Sequence, residues 1–167
     1  VVAAAIRRLL VGGALATFSA GAAAQDRPSV PPPEALRMLV TTTVVALNQA
    51  NLTGNYTVLR DLCAPSFQQA NTAAKLALIF QNLREQNLDL SPVILHEPRF
   101  VRAPAVDQQG FLRLTGNYPT RPMQVNFDLS FQPVEGHWRL FALSIGTARV
   151  PTAAPAAPPK PAPTKNP

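Results

Sequence analysis

Residues Met123 to Ile145 read MQVNFDLSFQPVEGHWRLFALSI. Met123, Val125, Phe127, Leu129 and Phe131 alternate with Gln124, Asn126, Asp128, Ser130 and Gln132. A period of two puts every second side chain on the same face, so this run predicts a strand with one apolar side. Glu135-Gly136 interrupts the pattern, and a second apolar run opens at Trp138. Two such runs joined by a short Gly-containing break predict an antiparallel hairpin.

The loop length decides which faces meet. A two-residue loop at Glu135-Gly136 sets Phe131 opposite Leu140 and Asp128 opposite Leu143. A three-residue loop, Val134-Glu135-Gly136, sets Phe131 opposite Arg139, Leu129 opposite Phe141, Phe127 opposite Leu143 and Val125 opposite Ile145. A slip of one residue exchanges the two faces. The three-residue loop gathers the large apolar residues on one side and puts Gly136 where a left-handed residue is needed, so it is the register expected. The opposite face then carries Gln124, Asn126, Asp128, Ser130 and Gln132 beside Trp138, Leu140, Ala142 and Ser144. Trp138, Leu140, Asp128 and Asn126 are therefore the candidate ligand or partner contacts, since an accessible Trp among polar groups suits an interface. The competing reading is that a helix or loop covers Trp138.

Upstream the period is helical. Pro31-Pro32-Pro33 precedes a first helix, as proline suits a first turn. Leu36, Leu39, Val40, Thr43, Leu47 and Ala50 recur at helical spacing, through the β-branched run Thr41–Val45. NLTGN (51–55) is a turn with Asn55 as an N-cap, and a short helix is expected through Cys63, ended by Ala64-Pro65. A third helix is expected from Asn71 to Arg84, with Leu76, Ile79, Phe80 and Leu83 as its stripe. Residues 93–102 then read as an extended segment that Pro98 confines to a sheet edge, and 111–118 as a strand. The fold class expected is α+β: three N-terminal helices packed on a curved antiparallel sheet of about four strands.

The two ends differ in composition from this span. Arg7-Arg8, the apolar run Leu9–Ala20 and the small residues Ala22-Ala23-Ala24 match a secretory leader, residues 1–24, cleaved after Ala24. The apolar run is shorter than a membrane span needs, so no stable span is expected after cleavage, and the location expected is periplasmic or secreted. Residues 25–33 read as a linker and 34–149 as one α+β domain. Residues 150–167 read as a disordered tail; its stretch PTAAPAAPPKPAPTKNP holds seven prolines, a composition that favours polyproline II over a packed core.

The net charge of +6 belongs mostly to these appendages: residues 34–149 hold ten basic and eight acidic side chains. No basic cluster interleaved with aromatics points to nucleic acid. The single cysteine, Cys63, excludes an internal disulfide and reads as a small core residue. His96 and His137 lack metal-type spacing, and no phosphate loop or nucleophile elbow occurs, so neither metal nor cofactor is expected.

The stretch Ala46–Pro65, the leucine-rich third helix and the closing VEGHWRL hairpin (Val134–Leu140) resemble the nuclear transport factor 2-like superfamily over roughly 34–149. That resemblance implies the cone-shaped fold of small binding domains and a few enzymes, a superfamily with many exported bacterial members of no assigned activity and with homodimers formed through the outer sheet face in several. Enzymatic members place Asp, Tyr or His inside the cone. Here Asp61, Asp89, Asp107, Asp128, Tyr56 and Tyr118 do not match that motif residue by residue. The function expected is a non-catalytic binding or interaction module for a protein or small apolar ligand, with a homodimer through the sheet face. The alternative is a small isomerase- or dehydratase-like enzyme using the cone pocket. A cone filled by Phe80, Phe111, Phe127 and Leu129 would count against the enzyme.

Overall fold

A computed structural model describes residues 28–149; the expected leader (1–24) and tail (150–167) lie outside the described residues. The order is α1 (Pro33–Thr53), α2 (Thr57–Asp61), α3 (Pro65–Ala70), α4 (Ala73–Ile79), α5 (Gln81–Glu85), a 3-10 turn (Ser91–Leu95), then β1 (Arg99–Phe100), β2 (Ala105–Val106), β3 (Leu112–Tyr118), β4 (Met123–Val134) and β5 (His137–Arg149). The fold is α+β, with five helices and an open five-stranded antiparallel sheet.

α1 follows its sequence closely. Pro33 starts it, Gly54 closes it in the left-handed conformation, and Leu36, Val40, Thr43, Leu47 and Ala50 are buried. The β-branched run stays helical because its hydroxyls bond back along the helix: Thr42 donates to the Met38 carbonyl at 2.6 Å and Thr43 to the Leu39 carbonyl at 2.7 Å. Asn55 Oδ1 accepts the Thr57 N–H at 3.0 Å at the start of α2.

The other helices depart from expectation. Pro65 does not simply end a helix; it opens α3 in the first turn. The helix expected over 71–84 breaks at Phe80, whose φ and ψ are −98° and 13°. Phe80 is buried and its ring stacks on Tyr56 at 6.1 Å. Leu76 and Phe80 face the core, but Ile79 is exposed. Seating Phe80 against Tyr56 therefore ends one short helix and starts another. Among the described residues, five helices stand where three were expected.

Residues 91–95 form a 3-10 turn rather than an extended run, with Pro92 in its first turn. Only Arg99–Phe100 pairs as a strand, directly after Pro98 and at the sheet edge. β1 and β2 share that edge, β1 on Gly116–Asn117 and β2 on Leu112–Arg113. The sheet is therefore four strands wide, in the order β1/β2, β3, β4, β5.

The hairpin register differs from the one expected. Val134 pairs with His137, so the loop has two residues, Glu135 and Gly136, with φ of 49° and 77°. Two positive φ values define the turn whose twist matches right-twisted strands. Phe131 faces Leu140, Pro133 faces Trp138, and a bulge then intervenes. Ser130 faces Ala142, with Phe141 the extra residue, so Leu129 faces Leu143, Phe127 faces Ile145 and Val125 faces Thr147. Neither register considered from sequence holds along the whole hairpin. The bulge restores by one inserted residue the apolar match that the short loop would have lost.

The core lies between the helices and one sheet face. It holds Leu36, Val40, Val44, Leu47, Tyr56, Leu59, Leu76, Phe80, Leu114, Tyr118, Phe127, Leu129 and Phe131, with Leu143, Ile145 and Trp138 packed against it. Phe111, expected in that filling, instead packs on Phe141 at 4.5 Å outside the core cluster.

Candidate binding cleft at Trp138

Strand parity divides the sequence-predicted contact residues. Trp138 and Leu140 precede the bulge and oppose Pro133 and Phe131, the odd-numbered residues of β4 that face the helices. Asn126 and Asp128 are even-numbered and lie on the outer face. The single face that was to hold all four does not exist, because the two-residue loop turns Trp138 and Leu140 inward.

Trp138 is half-buried at the rim of a cleft of about 330 Å³. α1 contributes Leu39, Thr42, Thr43 and Ala46, α2 and its end contribute Leu59 and Leu62, and the hairpin contributes Phe131, Trp138 and Leu140. Leu62 is 55% exposed at the mouth, a position where an apolar side chain gains little from folding. Hairpin and helices are tied together beside the cleft. The Ala64 N–H donates to the Leu140 carbonyl at 2.8 Å, Cys63 bridges Leu140, and Ser66 Oγ donates to Gln132 Oε1 at 3.0 Å.

The lining has no titratable side chain. Its two hydroxyls, Thr42 and Thr43, already donate to α1 carbonyls. What the cleft offers is apolar surface and an indole. The adjacent charges are used structurally: Arg60 donates to the Asn71 carbonyl at 2.9 Å and the Gln68 carbonyl at 3.1 Å, and pairs with Asp61 at 2.9 Å. Cys63 donates its thiol proton to the Leu59 carbonyl, and burial pushes its pKa up to about 12 despite Arg60 nearby.

Asn126 and Asp128 lie in a separate open depression of about 440 Å³ on the outer face, with Thr115, Asn117, Gln124, Ser144 and Gly146. Thr115 donates to Asp128 and Gln124 to Asn126 at 2.7 Å. Neighbouring Ser130 is buried with no partner for its hydroxyl among the described residues.

The remaining acid–base candidates sit elsewhere. The Tyr56 hydroxyl donates to Asn51 Oδ1 and accepts from Arg84 at 3.1 Å, with the Arg84 guanidinium 5.6 Å from the ring centre. The Tyr118 hydroxyl shares a hydrogen bond of 2.8 Å with Thr41, and burial raises its pKa. Asp89 and Asp107 lie in loops, their carboxyls held below the usual range mainly by the N–H groups of Ser91 and Phe111. His137 is exposed beside the turn, and His96 borders a small pocket with Arg37 and Met38. Among the described residues no cluster of His, Cys, Asp and Glu could hold a metal ion, and no helix is long and apolar enough to cross a membrane.

Sequence reasoning placed Trp138 on the outer face beside Asp128 and Asn126; the structure puts it at the rim of a cleft on the helix side, and the opposite wall of that cleft was missed. Leu39 and Leu59 read as ordinary core positions, and the i, i+3 pair Leu59 and Leu62 was the available signal. Comparison with protein-family models, with curated proteins and with solved structures returns no match to this chain.

Proposed function

We propose that this chain is an exported, non-catalytic binding module of the nuclear transport factor 2-like kind, acting in the periplasm or outside the cell. Its site is the Trp138 cleft, and its ligand is a small apolar molecule or an apolar segment of a partner protein. Helices gathered on one face of a twisted sheet are compatible with the cone of that superfamily. A homodimer through the outer face would use the polar surface around Asn126, Asp128 and Thr115.

One observation carries the reading: a cleft of about 330 Å³, lined by Trp138, Phe131 and aliphatic groups, contains no titratable side chain. Its size lies in the range of small-ligand sites, and such a lining selects apolar shape rather than charge. Proton transfer needs a positioned acid or base within reach of the substrate, and none lines this cleft.

Trp138 is the only tryptophan, so its fluorescence reports on the cleft directly. An apolar anilinonaphthalene dye should quench it saturably. Leu62→Asp, at the exposed mouth, should abolish that quenching while leaving the circular dichroism spectrum unchanged. Equal dye titration curves for wild type and Leu62→Asp would refute a binding site at Trp138.

A further inference from the structure

We propose that the open depression on the outer sheet face is a binding site for a neutral carbohydrate, held through its hydroxyl groups. The site uses Asn126 and Asp128, which the Trp138 cleft leaves aside, and it is independent of that cleft.

Strand pairing builds this depression of about 440 Å³. Thr115, Asp128 and Ser144 lie side by side on β3, β4 and β5, and Asn117, Asn126 and Gly146 form the next row. Gln124 continues the lining along β4, and Val101, 63% exposed, borders it. The hollow follows from β5, which sets only Ala142, Ser144 and Gly146 opposite Ser130, Asp128 and Asn126. A Cβ on Gly146 would meet nothing within 4 Å, so glycine leaves the floor open there.

The unused bonding capacity of the lining points to the ligand. Thr115 donates to Asp128 Oδ1 at 3.3 Å and Gln124 donates to Asn126 Oδ1 at 2.7 Å. Among the described residues, the polar side chains of the lining make no other hydrogen bond. Donors are left on the Asn117 and Asn126 carboxamides and on Ser144; acceptors are left on Gln124, Asn117 and Asp128 Oδ2. A complementary ligand brings donors and acceptors close together, as neighbouring hydroxyls do, since each O–H donates once and accepts twice. Adjacent rows are roughly 7 Å apart and adjacent strands roughly 5 Å apart, so a pyranose ring lying flat reaches side chains on two strands and in two rows.

Other ligand classes fit less well. An anion would meet Asp128 with no lysine or arginine in the lining. A peptide is recognised at a free strand edge with pockets for alternate side chains, whereas this site lies on the face of paired strands. A second copy of the chain competes for the same surface, but it would have to take Asp128 out of water, and an open saccharide site leaves that carboxylate partly solvated. Hydrogen bonds within reach of water give little net free energy, so the dissociation constant should be roughly millimolar.

Amide-resolved NMR reads binding of this strength. The isotope-labelled full chain is titrated with cellotriose, maltotriose and chitotriose. At least one should saturably shift the side-chain amides of Asn117, Gln124 and Asn126 and the backbone amides of Ser144 and Gly146, while the Trp138 indole stays in place. Gly146→Val fills the hollow from a position where a Cβ has room; it should weaken binding at least tenfold and leave dye quenching at Trp138 intact. Asn126→Ala, whose lost side chain is bonded in the fold only by Gln124, should also weaken it and decides the matter if Gly146→Val does not fold. No shift at these amides with any of the sugars overturns the site and leaves the Trp138 cleft standing. Saccharide shifts that persist undiminished in the variants, or that centre on Trp138, overturn it too. Outer-face amides that move with protein concentration but not with saccharide assign this face to a second copy instead.

Discussion

Phe131 and Leu140 face each other across the last hairpin, on the helix side of the sheet. One residue further along β4, Ser130 faces Ala142 and not Phe141. The bulge between these pairs decides which surface belongs to Trp138 and which to Asp128. A uniform two-residue-loop register would have sent Leu143 and Ile145 to the outer face. With Phe141 inserted, they pack against the core instead.

Deleting Phe141 removes the inserted residue. The strand must then either turn Leu143 and Ile145 outward or break its pairing at the turn. Both are partly buried, so the expected loss is about 3 kcal/mol, from the usual value of burying aliphatic side chains. Urea unfolding of the deletion variant measures it. A midpoint equal to that of wild type would mean that the bulge carries no register role.

The turn offers a stabilising change. Glu135 has a positive φ of 49° without being glycine. Asn tolerates that conformation better, and left-handed backbone costs an ordinary residue about 1–2 kcal/mol. Glu135→Asn should raise the melting temperature by a few degrees, corresponding to about 1 kcal/mol at most. Gly136→Val, at φ 77°, should lower it. Thermal melts of the two variants should move in opposite directions.

Gly116 allows the sheet edge to close. A Cβ there would overlap the Arg99 carbonyl and come within 2.7 Å of Phe127 Cζ. Backbone cannot yield as a flexible side-chain tip can, so Gly116→Ala should cost about 3 kcal/mol, the upper part of the usual overpacking range. Amide exchange should show the loss first at β1, which pairs with Gly116. Uniform loss across the sheet would point to a different cause.

Cys63 should be chemically silent in the folded state. Its thiol is buried and bonded to the Leu59 carbonyl, and its pKa is pushed up to about 12. Alkylation by iodoacetamide at pH 8 should therefore require unfolding. Linkage gives the pH dependence. The folded pKa lies above the unfolded one, so the contribution to stability is full below about pH 8.5–9 and is lost as pH rises towards 12. Tyr118, raised in the same direction, adds to that alkaline loss. Rapid native-state alkylation would contradict the burial of the thiol.

Part of this structure was legible in the residues because it depends on neighbours in the chain. The period of two in β4, the stripe Leu36–Val40–Leu47 in α1 and the turn at Gly54 are all local patterns. So is the confinement of the chain after Pro98 to an edge. Phe80 was placed on the right face, but its stacking on Tyr56, 24 positions away in the sequence, is what ends α4. The candidate contacts fared the same way: Trp138 lines a cleft, yet the wall opposite comes from α1 and α2.

The residues alone were enough for the α+β class, the first helix, the position of the last hairpin and the apolar side of β4. Those follow from side-chain period and backbone preference, which act over a few residues. Tertiary structure alone decided the phase of β5. Two registers with nearly equal local signals differ by which face of the sheet each side chain meets. Only packing of Leu143 and Ile145 against the helices, made compatible with a two-residue turn by one bulged phenylalanine, selects between them. That choice put Trp138 in a cleft and Asp128 on the opposite side of the sheet.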